Sequence, residues 1–148
     1  MNGTFQNKLL FFQGLFLFLL TLAPFASQYQ TPIEVLKVFV ADINKQNYRK
    51  AYLLFSLPLM QKVGYADFRE GAKRVKWAKL LSARLISKTT TMAKARVLLE
   101  DLEKDPEETQ WRKRRYSGIV VMLREKGHWR FIQIIIDKRR KKHGIRSQ

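Results

Sequence analysis

Around Trp77 the apolar residues of this chain change their spacing. Upstream they recur every three or four positions, as on a helix; downstream they alternate, as on a strand. Few folds accept a chain divided in this way. Helical pieces followed by consecutive strands predict an α+β architecture: N-terminal helices packed on a curved four-stranded antiparallel sheet.

The helical half begins at Thr31-Pro32-Ile33-Glu34. Thr31 can cap an exposed N–H, proline suits the first helical position, and Glu34 stands where a capping box wants a carboxylate. Leu36, Phe39, Val40 and Ile43 follow on one face, so the spacing predicts a helix to about Asn44 or Lys45, with Leu36, Phe39 and Ile43 packed on a sheet face carrying Trp129 and Phe131. Asn47 starts a second piece, in which Tyr48, Ala51, Tyr52 and Phe55 share a face. LPLMQKVG reads as a helical turn ended by Gly64, and YADFREGAKRV as a short helix with Phe68 inward, weakened by Gly71.

In the second half, TMAKARVLLEDL places Ala93, Ala95, Val97 and Leu99 on one side. YSGIVVMLRE and WRFIQIIID carry the β-branched and aromatic residues of strands, with Lys126-Gly127 as the hairpin signal between them. LLSARLISK makes a weaker strand, and EDLEKDPEETQ reads as a polar loop.

Residues 9–25, LLFFQGLFLFLLTLAPF, are apolar and preceded by Lys8. A charged start, an apolar centre and the small Ala26 follow the plan of a secretory signal peptide. A run of this length also falls at the short end of what spans a bilayer, so an uncleaved anchor is the alternative. Either predicts an extracytoplasmic location, secreted, periplasmic or membrane-anchored. The expected division is 1–27 signal or anchor, 28–137 the α+β domain, and 138–148 a basic, disordered tail. No cysteine is present, which excludes disulfides, thiolate metal sites and a cysteine nucleophile.

The segments TPIEVLKVFVADINKQNYRKAYLLFS and GIVVMLREKGHWRFIQI, with the short helix around Phe68, resemble the nuclear-transport-factor-2-like, or cystatin-like, superfamily. In many such domains the first helix is followed by a polar residue, an aromatic, then Ala-Tyr, and a final hairpin carries Gly-x-Trp before alternating apolar residues. The resemblance spans residues 31–137 and implies a sheet wrapped on the long first helix to enclose a cone. It also implies a choice among isomerases, dehydratases, small-ligand binders and scaffolding domains, which fold alone cannot decide. An exported branch it looks like is the extracytoplasmic assembly protein of bacterial type IV secretion machines.

Enzymes on that fold place an Asp, sometimes with a Tyr or His, inside the cone. The resemblance therefore points to Asp42 and Tyr52 for a ligand pocket, and the strand pattern adds Gln133. Asp42 lies near the end of the first helix, and Gln133 is a polar amide in an apolar strand, on the face expected to hold Trp129, Phe131 and Ile135. Each also has an ordinary structural explanation: a solvated carboxylate, a packed ring with its hydroxyl outward, an amide bonded to neighbouring backbone. His128 and His143 stand too far apart for the usual close metal-ligand spacing, and no phosphate loop or nucleophile elbow is present. No catalytic residue, metal or cofactor is assigned.

Charge is the remaining signal. There are 29 Lys and Arg against 12 Asp and Glu, a net charge of +17, which favours anionic partners. Six of the twelve carboxylates, Glu100, Asp101, Glu103, Asp105, Glu107 and Glu108, fall within nine positions, implying an acidic hairpin tip on a basic body. Arg112, Arg114 and Arg115, with Lys138, Arg139, Arg140, Lys141 and Lys142, are the candidate contacts to an anionic partner. The leading expectation is a noncatalytic exported binding or assembly domain that engages an anionic membrane surface or an acidic protein. The alternatives are a small-ligand binder or an isomerase- or dehydratase-type enzyme using the cone pocket, and a nucleic-acid-binding protein, which the export segment disfavours. Composition leaves oligomerisation open.

Overall fold

Thr31 opens the first helix with both halves of a capping box. Its hydroxyl accepts from the Glu34 N–H (3.2 Å) and its own N–H donates to Glu34 Oε2 (2.9 Å). The computed structural model of the chain describes residues 31–104 and 110–137. Within them run α1 (Pro32–Asn44), α2 (Tyr48–Tyr52), α3 (Leu57–Lys62), α4 (Tyr65–Lys73), β1 (Val75–Lys88), β2 (Met92–Glu103), β3 (Arg112–Glu125) and β4 (His128–Asp137). The apolar run 9–25, Asp105, Glu107 and Glu108, and Lys138, Arg139, Arg140, Lys141 and Lys142 lie outside the described residues. Among those described, no helix is long and apolar enough to cross a membrane.

The strands form one open antiparallel sheet in the order β1-β2-β3-β4, so the helices-then-sheet α+β architecture expected from the change of period is present. One sheet face carries the helices. Val35 and Leu36 of α1 pack with Leu54 and Phe55 on Ala93, Ala95, Val97, Val120, Met122, Trp129 and Phe131. The alanines of β2 let α1 approach closely, and Phe131, only 1% exposed, fills the centre. Phe39 is half-buried and meets the Phe131 ring edge-on at 5.2 Å. Burying a ring as completely as Phe131 is worth about 2–3 kcal/mol.

Two local devices fix how the helices sit. Asn44, the last residue of α1, exchanges both amide hydrogen bonds with Ala78 of β1: Nδ2 donates to the carbonyl (2.8 Å) and Oδ1 accepts from the N–H (2.6 Å). At the other end of the sheet, the segment after α2 forms a short parallel bridge to β4. There Phe131 N–H donates to Leu54 O (2.9 Å) and Ser56 N–H to Phe131 O (2.8 Å). The β3–β4 hairpin turns at Lys126 and Gly127, with φ of 48° and 85°. Two positive φ values suit the right-handed twist of the flanking strands.

Three features differ from the sequence-based expectation. β1 starts at Val75 rather than Leu80. β2 runs through Glu103, so Glu100, Asp101 and Glu103 are strand residues paired with β3, not part of a polar loop. An extra residue, Ile132, interrupts the register of β4 between Phe131, opposite Met122, and Gln133, opposite Val121. Inserting one residue reverses the alternation beyond it. Gln133 and Ile135 therefore stand on the outer face, away from Trp129 and Phe131, and Gln133 is exposed.

Candidate functional site

The period that buries Ala93, Ala95 and Val97 continues along β2 to Leu99, Asp101 and Glu103. Past Leu99 the inner face therefore changes from aliphatic to acidic, at a place that α1 and α4 both border. The space between them is an open cavity of about 370 Å³. Phe39, Val40 and Ile43 line it from α1, Asp67, Phe68, Gly71 and Ala72 from α4, Val75 and Ala78 from β1, Leu99 and Asp101 from β2, and Ile136 from β4. Its volume lies within the range of small-ligand sites, and its wall is apolar apart from two carboxylates.

The two carboxylates differ. Asp67 is exposed on α4. Asp101 is half-buried, and its Oδ1 is enclosed without a hydrogen-bond partner among the described residues. Its pKa is raised from 3.8 to about 6, first by burial and then by the neighbouring Glu103 charge, against the opposing Arg114 charge. Glu103 has partners of its own: it accepts from Tyr116 Oη (2.6 Å) and lies 3.5 Å from Arg114 Nη1. Burial, then this hydrogen bond to a carboxylate, pushes the Tyr116 hydroxyl upward, so it stays a donor to Glu103. The result is one unsatisfied carboxyl beside a satisfied carboxylate–tyrosine–arginine group. A buried polar atom without a partner is uncommon in a folded protein, and a ligand donor would satisfy it.

None of the residues singled out from the sequence for a pocket lines this cavity. The Tyr52 hydroxyl donates to Val63 O (2.9 Å) and Met60 O (3.3 Å), and its ring packs among Phe55, Tyr65 and Phe68. Asp42 is half-buried near the end of α1, where its carbonyl accepts from Asn47 N–H (2.8 Å). Gln133 is on the outer face. The available signal for Asp101 was the alternation itself: two more steps from Val97 reach it through Leu99. Reading EDLEKDPEETQ as a loop broke the period at Glu100, before β2 ends at Glu103.

The arginines of β3 divide between the faces. Arg114 is on the inner face with Glu103, and Arg112 stands opposite Glu103 in register. On the outer face Arg115 Nε donates to Glu100 Oε2 (2.7 Å), and Lys113 Nζ lies 2.9 Å from Glu100 Oε1. The buried Glu100 is held below the ordinary carboxylate range by these two hydrogen bonds, Arg115 first. Lys113 also lies over the Trp77 ring at 5.9 Å, and Lys76 over Trp111 at 5.8 Å. Arg114 and Arg115 are thus engaged within the fold. A broader open depression elsewhere carries Arg49, Lys50, Arg69 and Lys73, the last paired with Glu70 at 2.7 Å. Among the described residues no three His, Asp or Glu side chains are grouped to hold a metal ion.

No protein-family model matches this chain, and a search of curated proteins finds none similar to it.

Proposed function

We propose that this chain is a noncatalytic binding domain whose ligand is a small apolar molecule carrying an N–H or O–H donor, seated between α1 and α4 with the donor on Asp101. The observation that carries this is an enclosed, unpartnered carboxyl oxygen on Asp101, a residue that lines an otherwise apolar cavity. Apolar walls supply affinity through burial, and one placed acceptor supplies orientation. Tyr116 and Arg114 are engaged with Glu103, which leaves Asp101 as the open acceptor. The helix order, the hairpin Gly127-His128-Trp129 and the position of the cavity are consistent with a nuclear-transport-factor-2-like cone, and we assign the domain to that superfamily on this basis. The apolar run at 9–25 supports an extracytoplasmic site of action.

Ligand-observed NMR with the full chain tests the proposal. Matched aliphatic amines, alcohols and carboxylic acids are compared on the wild type and on Asp101→Asn. Amines and alcohols should bind in preference to acids of the same chain length, and the preference should be lost in the variant. Equal binding of acids, or a preference unchanged by Asp101→Asn, rejects the assignment.

A further inference from the structure

Pairing of the four strands, with its bulges, builds an outer face with a definite composition. One cross-strand row reads Arg84, Arg96, Ile119, Ile135 from β1 to β4. The next reads Ser87, Lys94, Val121, Gln133. Like charges directly opposite each other destabilise a sheet. Arg84 and Arg96 nevertheless face each other as register partners, both are exposed, and neither has an ion pair among the described residues. Glu100, on the same face, is already occupied by Arg115 and Lys113. Asp137 lines the same depression as Arg96 but makes no ion pair with it. Beside the cations, Ile135 is 44% exposed and Met92 41%.

We infer that this outer face is a docking surface for an anionic lipid bilayer. The Arg84–Arg96 pair is unfavourable in the isolated domain, and phosphate groups placed between the guanidiniums remove that repulsion. Exposed apolar side chains on the same face suit the boundary between headgroups and acyl chains, where cations and apolar groups are accommodated together. A nucleic acid would use the cations and leave Ile135 and Met92 without a role. The sequence points the same way. The apolar run ends at position 25, seven residues before Pro32, a reach of at most about 25 Å when extended. A run held in a bilayer would therefore keep the sheet close to its surface.

The chain contains no cysteine, so one introduced thiol reports one position. Ser87→Cys on the outer face, and Gln61→Cys on α3 as a control, are labelled with an environment-sensitive fluorophore in the full chain. Both are reconstituted with vesicles of phosphatidylcholine alone or mixed with phosphatidylglycerol. The label at 87 should shift to the blue on the anionic vesicles only, and the label at 61 on neither. The shift should weaken as salt is raised to physiological strength, where the Debye length is about 8 Å. In Arg84→Gln/Arg96→Gln the docking equilibrium should fall about 20- to 30-fold, at roughly fivefold per charge. That variant should melt no lower than the wild type, because a like-charge pair has been removed. An equal shift on neutral vesicles, an unchanged shift in the double variant, or a shift given by a single-stranded oligonucleotide or polyglutamate but not by anionic vesicles overturns the assignment.

Discussion

Replacing Asp101 by Asn keeps the shape of the side chain and removes its titration. In the folded protein Asp101 titrates near 6 instead of 3.8, chiefly because burial disfavours the carboxylate. A raised acid pKa means that the folded chain holds a proton which the unfolded chain has released between about pH 4 and 6. Stability from this group is therefore complete below that window and is lost as pH rises through it. A shift of about two units corresponds to at most about 3 kcal/mol. Asp101 is only half-buried at an open cavity, so solvent screening reduces this to about 1 kcal/mol. Asp101→Asn should accordingly match the wild type at pH 4 and exceed it by about 1 kcal/mol at pH 7, or about 3–5 °C in Tm. Denaturant unfolding of both proteins across pH 4–8 measures the difference directly, and other titrating groups cancel in the subtraction. A variant less stable than the wild type at pH 7 would mean that Asp101 has a partner in the native protein. A difference independent of pH would mean that its carboxyl is not desolvated. Either result removes the basis for a ligand donor at this position.

Glu100→Gln should lower Tm at neutral pH by breaking the contacts to Arg115 and Lys113. Because the folded pKa is depressed, thermal melts should show the deficit shrinking as pH falls through the carboxylate range. Gly118→Ala should cost about 1–3 kcal/mol in denaturant unfolding, since a Cβ there would collide with the Ile135 carbonyl on β4, and backbone cannot move aside cheaply. Phe131→Ala should cost about 3–5 kcal/mol by the same measurement, because its ring is fully enclosed among Phe39, Phe55 and the sheet. A loss below 1 kcal/mol would show that the site collapses to fill the space.

Local chemistry determined the elements. Thr31, Pro32 and Glu34 define a helix start because their side chains and ring act on backbone within one turn, and α1 begins at Pro32. Lys126-Gly127 marks the hairpin because a tight turn between twisted strands needs positive φ. The alternation of Ala93, Ala95 and Val97 identifies the face that α1 covers because strand side chains have a period of two.

Pairing across the sheet decided the rest. Whether Glu100, Asp101 and Glu103 form a solvated loop or a strand depends on Arg115, Arg114 and Arg112, which stand opposite them in register. Nothing within three residues of Asp101 reveals that it shares a cavity with Phe39, Phe68 and Ile136. The extra residue at Ile132 likewise exists only relative to β3, yet it sends Gln133 to the outer face. Charge followed the same division. The excess of Lys and Arg is a property of composition, but which of them remain uncompensated is a property of register. Arg115 meets Glu100, whereas Arg84 meets Arg96, because pairing across a sheet is set by strand alignment and not by distance along the chain.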